Sequence, residues 1–171
     1  LVHGYGRFAI PMLRLYGWKT PSLSVGYSQD PRRDLDIEAC YKSGVPFVRR
    51  MTGGGIILHD AEITYSLVCA QGDLGIPPRV VSSYKTICSF LLEFYKRSGL
   101  TACFACDAGA GGELGKPSTL CFAAHEKYDI VIGGRKIGGN AQKRVKNVIF
   151  QHGSIPLRVD IGAASSFLRD K

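Results

Sequence analysis

Arg49-Arg50-Met51-Thr52-Gly53-Gly54-Gly55 stands between two short β-branched runs, Pro46–Arg49 and Ile56–His59, in a chain of 171 residues. Three successive glycines lose much conformational freedom on folding, so a plain connector rarely keeps all three. They permit close approach of backbone N–H groups to a ligand, and the flanking arginines add positive charge for a carboxylate or phosphate. A flexible hairpin turn is the plainer reading of the same residues. The stretch is not a P-loop, because no Gly-Lys-Ser/Thr follows and no helix opens after it. His59-Asp60 ends the second run and is close enough to border the same site. A lone histidine there serves as readily as a structural hydrogen-bonder.

Outward from this loop, short strand-like runs dominate: Leu13–Tyr16, Leu23–Gly26, Ile63–Cys69, Tyr128–Ile132 and Val148–His152, each bounded by Gly, Pro or Asp. Gly133-Gly134 reads as a two-residue hairpin joining Tyr128–Ile132 to Arg135–Ile137. Apolar residues at 80, 84, 87, 88, 91 and 94/95 keep a 3.6-residue period, which predicts a helix over Val80–Ser98 that Gly99 terminates. A shorter helix is expected around Leu35–Ser43, ending at Gly44. Strands and hairpins without regular βαβ alternation imply an α+β domain on a mixed, largely antiparallel sheet flanked by helices. Gly109–Gly115 reads as a loop rather than a linker. We expect one catalytic domain over 1–171, truncated at both ends, since Leu1 is not an initiator methionine.

Hydrophobic residues at 45% and charged residues at 21% are ordinary for a globular protein. No apolar run approaches the ~20 residues of a membrane span, and no basic-then-apolar leader opens the chain. The expected location is therefore cytoplasmic, without membrane association. Net charge is +8, yet the basic residues are scattered in pairs such as Arg32-Arg33 and Lys143-Arg144. That pattern lacks a nucleic-acid module and suits an acidic protein partner. Cys69 and Cys88 read as small core residues. Cys103-x-x-Cys106 has no second pair to complete a zinc site, and no metal site is expected.

Together, Arg49-Arg50-x-Thr-Gly-Gly-Gly-x4-Asp60 resembles the signature of lipoate-protein ligases and related octanoyltransferases. Arg14–Trp18 with Pro21–Tyr27 resembles the family's early strand pair, Asp129–Gln142 its lysine hairpin, and Gln151–Ser154 the strand end beyond it. The match spans about positions 13–160. The resemblance implies the catalytic-domain fold shared by biotin- and lipoate-protein ligases, similar to class II synthetase domains. It also implies that Tyr27, Arg49, Arg50, Thr52, Gly53, Gly54, Gly55, His59, Gly138, Gly139, Asn140, Ala141, His152 and Gly153 surround an acyl substrate, octanoate or lipoate. Lys136 would meet the acyl carbonyl, where an ammonium stabilises a developing oxyanion.

Members of this family follow two routes. Ligases activate lipoate with ATP and Mg²⁺; octanoyltransferases need no cofactor and take octanoate from acyl carrier protein through a cysteine thioester. Ser118-Thr-Leu-Cys121-Phe122 resembles the cysteine site of the second group, and a cation nearby would lower a thiol's pKa. His59-Asp-Ala-Glu62 is likewise closer to the transferases. Ala123-Ala-His125 departs from the Ala-Pro-Ser usual after Cys-Phe, and His125 is either a base for the thiol or a surface residue. Cys121 would be the nucleophile, with a buried structural thiol as the plainer alternative. The expected acceptor is a lipoyl domain, on a glycine-cleavage H protein or the E2 subunit of a 2-oxoacid dehydrogenase. A ligase acting through lipoyl-AMP, or a non-catalytic acyl-binding subunit, are the competing readings.

Overall fold

A computed structural model describes residues 2–108, 128–158 and 160–169. The order of elements is α1 (Val2–Phe8), β1 (Met12–Tyr16), β2 (Ser22–Val25), α2 (Pro31–Asp34), α3 (Ile37–Lys42), β3 (Phe47–Arg49), β4 (Ile57–His59), β5 (Glu62–Ala70), α4 (Val80–Arg97), β6 (Ala102–Phe104), β7 (Ile130–Ile132), β8 (Arg135–Val145), β9 (Val148–Pro156) and α5 (Ile161–Ser165). Among the described residues, six strands form an antiparallel sheet in the order β1-β5-β9-β8-β7-β6. Three more form a small sheet in the order β3-β2-β4, parallel between β2 and β3 and antiparallel between β2 and β4. The mixed, largely antiparallel α+β architecture expected from the sequence is present.

The apolar period of α4 explains its place. Cys88, Leu91 and Tyr95 pack with Tyr65, Phe104, Ile130 and Ile155 over one face of the large sheet. A second core joins the small sheet to α3 and the chain's last described turn through Leu23, Val25, Cys40, Ile56, Phe167 and Leu168. The opposite face of the large sheet meets the small sheet through polar contacts, and that seam carries the candidate site. α3 starts at the Asp36 cap, whose carboxylate accepts the Ala39 N–H at 2.9 Å.

The sequence reading stops β8 at Ile137, whereas the strand runs on to Val145. Its Asn140, Gln142 and Arg144 face α4, where an apolar row is the usual signal. They are linked there through a run of side-chain hydrogen bonds that includes Gln151 and Tyr65. Arg144 donates to Gln142 Oε1 at 3.1 Å, Gln142 to Gln151 Oε1 at 2.9 Å, Gln151 to Tyr65 Oη at 3.1 Å, and Tyr65 to Asn140 Oδ1 at 2.7 Å. Helix α1, with glycines at 4 and 6, has no strong local signal. It is anchored by Tyr5 donating to Asp73 at 2.6 Å.

Candidate active site

Lys136 lies two residues before Gly138 on β8, and in an unbroken strand both would share a face. The pairing is irregular there. Ile130 stands opposite Gly138 and Val131 opposite Lys136, so Ile137 has no counterpart and forms a β-bulge. Ile130 belongs to the core beneath α4. Val131, the next residue, faces the other way, and Lys136 with it. Its ammonium meets Asp129 Oδ2 at 2.7 Å, with the two side chains only 3% and 5% exposed. Removing either partner of so buried a pair would take an opposing charge away from the other.

His152 pairs with Ala141 and Ser154 with Gly139, which puts these residues on the Lys136 face. Gly138, Asn140 and Gly153 fall on the α4 face. Gly153 is opposite both Asn140 and Tyr65, and a Cβ there would lie 2.3 Å from Asn140 Oδ1 and 2.5 Å from the Tyr65 ring. The predicted residues thus divide between two sides of one sheet. Asn140 Nδ2, buried under α4, has no hydrogen-bond partner among the described residues.

The glycine loop crosses above the Lys136 face. Arg50 grips it from within, donating to Gly53 O at 2.9 Å, Gly55 O at 2.6 Å and Ser24 O at 3.0 Å. Arg49 donates to the carbonyls of Tyr27 at 2.8 Å and Gln29 at 2.5 Å. Both guanidiniums therefore shape backbone in addition to supplying charge. Gly26 lets the Gly54 carbonyl pass within 2.0 Å of where a Cβ would stand. Tyr27 N donates to Thr52 O at 2.8 Å, and the exposed Tyr27 ring lies 4.3 Å from Lys143 Nζ.

Two histidines join loop and sheet. Thr52 Oγ1 is 2.6 Å from His152 Nε2. Burial, then Arg50 and His59, push the His152 imidazole down to about 4, so it is neutral at physiological pH. His59 Nε2 is 2.7 Å from Ser24 Oγ and its Nδ1 is 2.8 Å from Glu62 Oε1. Its ring stacks on Trp18 with centroids 4.2 Å apart. Burial alone would raise the Glu62 carboxyl. The hydrogen bond and charge of His59 and the hydroxyls of Ser154 and Thr64 outweigh it and hold the group below its usual range.

Cys121 and His125 lie outside the described residues. Burial pushes the thiols of Cys40 and Cys69 up and that of Cys88 to about 11, which makes them poor nucleophiles. Cys106 is raised too, by burial and then by Asp107. Among the described residues, no group of three or more His, Cys, Asp or Glu could hold a metal ion, and no helix is long and apolar enough to cross a membrane. The sequence reading passed over Asp129 and Glu62 as site residues. An acid opening one arm of a tight hairpin and a lysine on the other are a usable signal for Asp129. For Glu62 the signal is the polar alternation Glu62, Thr64, Ser66.

A large antiparallel sheet backed by helix α4, with a small mixed sheet beside it, is the architecture of the fold shared by biotin- and lipoate-protein ligase catalytic domains. The chain belongs to the lipoyl protein ligase A/B catalytic domain family, whose model matches residues 4–171. It is 42% identical over 161 residues to octanoyltransferase LipM of Geobacillus kaustophilus, covering 92% of this chain and 58% of that protein. Among solved structures it is similar to lipoate-protein ligase A bound with ATP, with a TM-score of 0.74 and 26% identity over 94% of this chain and 60% of that one. A bi-partite lipoate protein ligase from Thermoplasma acidophilum, studied with its E2 lipoyl domain, gives a TM-score of 0.71 and 25% identity over 93% of this chain and 54% of that one. The chain thus spans less than two thirds of the length of each of these relatives.

Proposed function

We propose that the chain is the catalytic part of an octanoyltransferase, moving octanoate from acyl carrier protein to a lysine of a lipoyl domain through a cysteine thioester. The observation that carries this reading is the buried Lys136–Asp129 pair, which the Ile137 bulge turns toward the glycine-loop face. The likeness to LipM octanoyltransferases supports octanoyl transfer over ATP-driven ligation. The Cys121 thiolate attacks the carrier thioester carbonyl, and the Lys136 ammonium stabilises the oxyanion. Collapse expels the carrier's thiol, which takes up a proton, and leaves octanoyl-Cys121. The neutral amine of the acceptor lysine then attacks this second thioester, its nitrogen gives up a proton to solvent as the amide forms, and the Cys121 thiolate is released. Thr52, Gly53–Gly55 and Tyr27 line the acyl group from the loop side; Gly139, Ala141 and His152 line it from the sheet. Cytoplasmic carrier and acceptor proteins are the partners under this reading.

Structural likeness to ligases favours a second route. Among the described residues no group of three or more His, Cys, Asp or Glu could hold Mg²⁺, and the Asp129 carboxylate beside Lys136 is engaged with its ammonium. Intact-mass measurement after mixing with octanoyl carrier protein tests the proposal. An octanoyl adduct on the parent chain, absent from Cys121→Ala, is expected. An adduct retained on the alanine variant overturns the cysteine route. Lipoate activation by ATP that is insensitive to Cys121→Ala establishes the ligase instead, and neither activity leaves an acyl-binding subunit.

A further inference from the structure

We propose that Glu62 is a positioning residue for the acyl-binding loop, acting through His59 and Ser24 on the grip of Arg50 around Gly53–Gly55. The inference rests on the acyl-binding role proposed for that loop. Glu62 touches no part of the loop itself. It lies at the start of β5, and its carboxylate receives four donors from different parts of the fold: His59 Nδ1 at 2.8 Å, Trp18 Nε1 at 3.2 Å, Ser154 Oγ at 2.5 Å and Thr64 Oγ1. Only an ionised carboxylate, an acceptor at every lone pair, suits all four at once.

The contacts continue beyond that carboxylate without a gap. His59 bridges Glu62 and Ser24, with its Nδ1 2.8 Å from Glu62 Oε1 and its Nε2 2.7 Å from Ser24 Oγ. The Ser24 oxygen in turn accepts from Arg50 at 3.2 Å. The path joins guanidinium, hydroxyl, imidazole and carboxylate, with a charged group at each end. Ser24, His59, Glu62, Thr64 and Ser154 are each 8% exposed or less, so water does not substitute along it.

At the loop end, Arg50 holds the carbonyls of Gly53 and Gly55. A trans peptide points its N–H opposite its carbonyl, so the N–H of Gly54 is turned away from the guanidinium. A loop of three glycines has no side chains to hold such an orientation. Glu62 supplies it from the large sheet, which ties the loop to the same frame that carries Lys136.

Glu62→Gln and Ser24→Ala in the full chain test the inference; the second cuts the relay while leaving all four donors of Glu62 in place. Each is expected to raise the KM for octanoyl carrier protein about tenfold with little change in kcat, and to speed amide exchange across residues 52–56 about tenfold without altering exchange in β8 and β9. The double variant is expected to match the worse single one, because both break one path. Additive KM effects, or exchange that rises over the whole sheet, would show that Glu62 is a structural buttress and overturn the inference. Unchanged KM and loop exchange in Ser24→Ala overturn it as well. Failure of the functional reading looks different: the parent chain forms no octanoyl adduct, while the loop-exchange effect survives.

Discussion

Burial in the sheet seam, together with the nearby Arg50 and His59, keeps the His152 imidazole at about 4, against about 6.5 in an unfolded chain. Below about 6.5 the unfolded chain takes up a proton that the folded protein refuses. Stability is therefore full above that pH and is lost as pH falls toward about 4, by at most about 1.4 kcal/mol per unit. Glu62 acts in the same direction but further into acid, since its carboxyl is held below the usual range and its contribution is lost only as pH falls through that depressed value. Urea unfolding between pH 7 and pH 5 thus reads the contribution of His152. The His152→Gln variant should lose most of the slope that the parent shows there, and an unchanged slope would assign it to another group. The Gln151-His-Gly-Ser154 stretch marks His152 as a candidate site residue. Its neutrality and its bond to Thr52 are not legible there, because Thr52 is 100 residues away in sequence.

The hairpin at Gly133-Gly134 and helix α4 are readable as local patterns: a two-residue turn between β-branched runs, and a 3.6-residue apolar period. Strand β8 is the contrary case. Its α4-facing residues are polar, and their mutual hydrogen bonds replace the apolar row that marks a strand. The Ile137 bulge is invisible until β7 is placed beside β8, since an extra residue is extra only against a partner. At this scale the test is Gly153→Ala. The added Cβ meets Asn140, Tyr65 and the Gly139 carbonyl, the last at 2.9 Å, in the middle of three paired strands. The cost should be about 1–3 kcal/mol, read as a lower urea midpoint with unchanged m-value. A neutral result would mean that β8 and β9 separate easily.

Over the whole molecule, +8 of net charge on 171 residues creates a long-range field that favours acidic proteins. If acyl carrier protein and a lipoyl domain are the partners, kcat/KM for octanoyl carrier protein should fall several-fold between about 50 and 300 mM salt, as the screening length shortens. kcat at saturation should stay nearly constant. A flat salt profile would locate recognition in apolar contact instead.

The sequence by itself determined the α+β class, the order of its main strands, the glycine loop, the hairpin that carries Lys136 and the family. Each is written in contiguous residues, where propensity, turn chemistry and spacing act between near neighbours. Tertiary structure alone decided that Lys136, His152 and the glycine loop share one side of the sheet while Gly138, Asn140 and Gly153 take the other. It alone turned two arginines into clamps on backbone and linked Glu62 to the loop through His59 and Ser24. The physical reason is common to all of these. The face a residue takes, and the partner a buried polar group finds, are set by strands that meet only when the chain has folded.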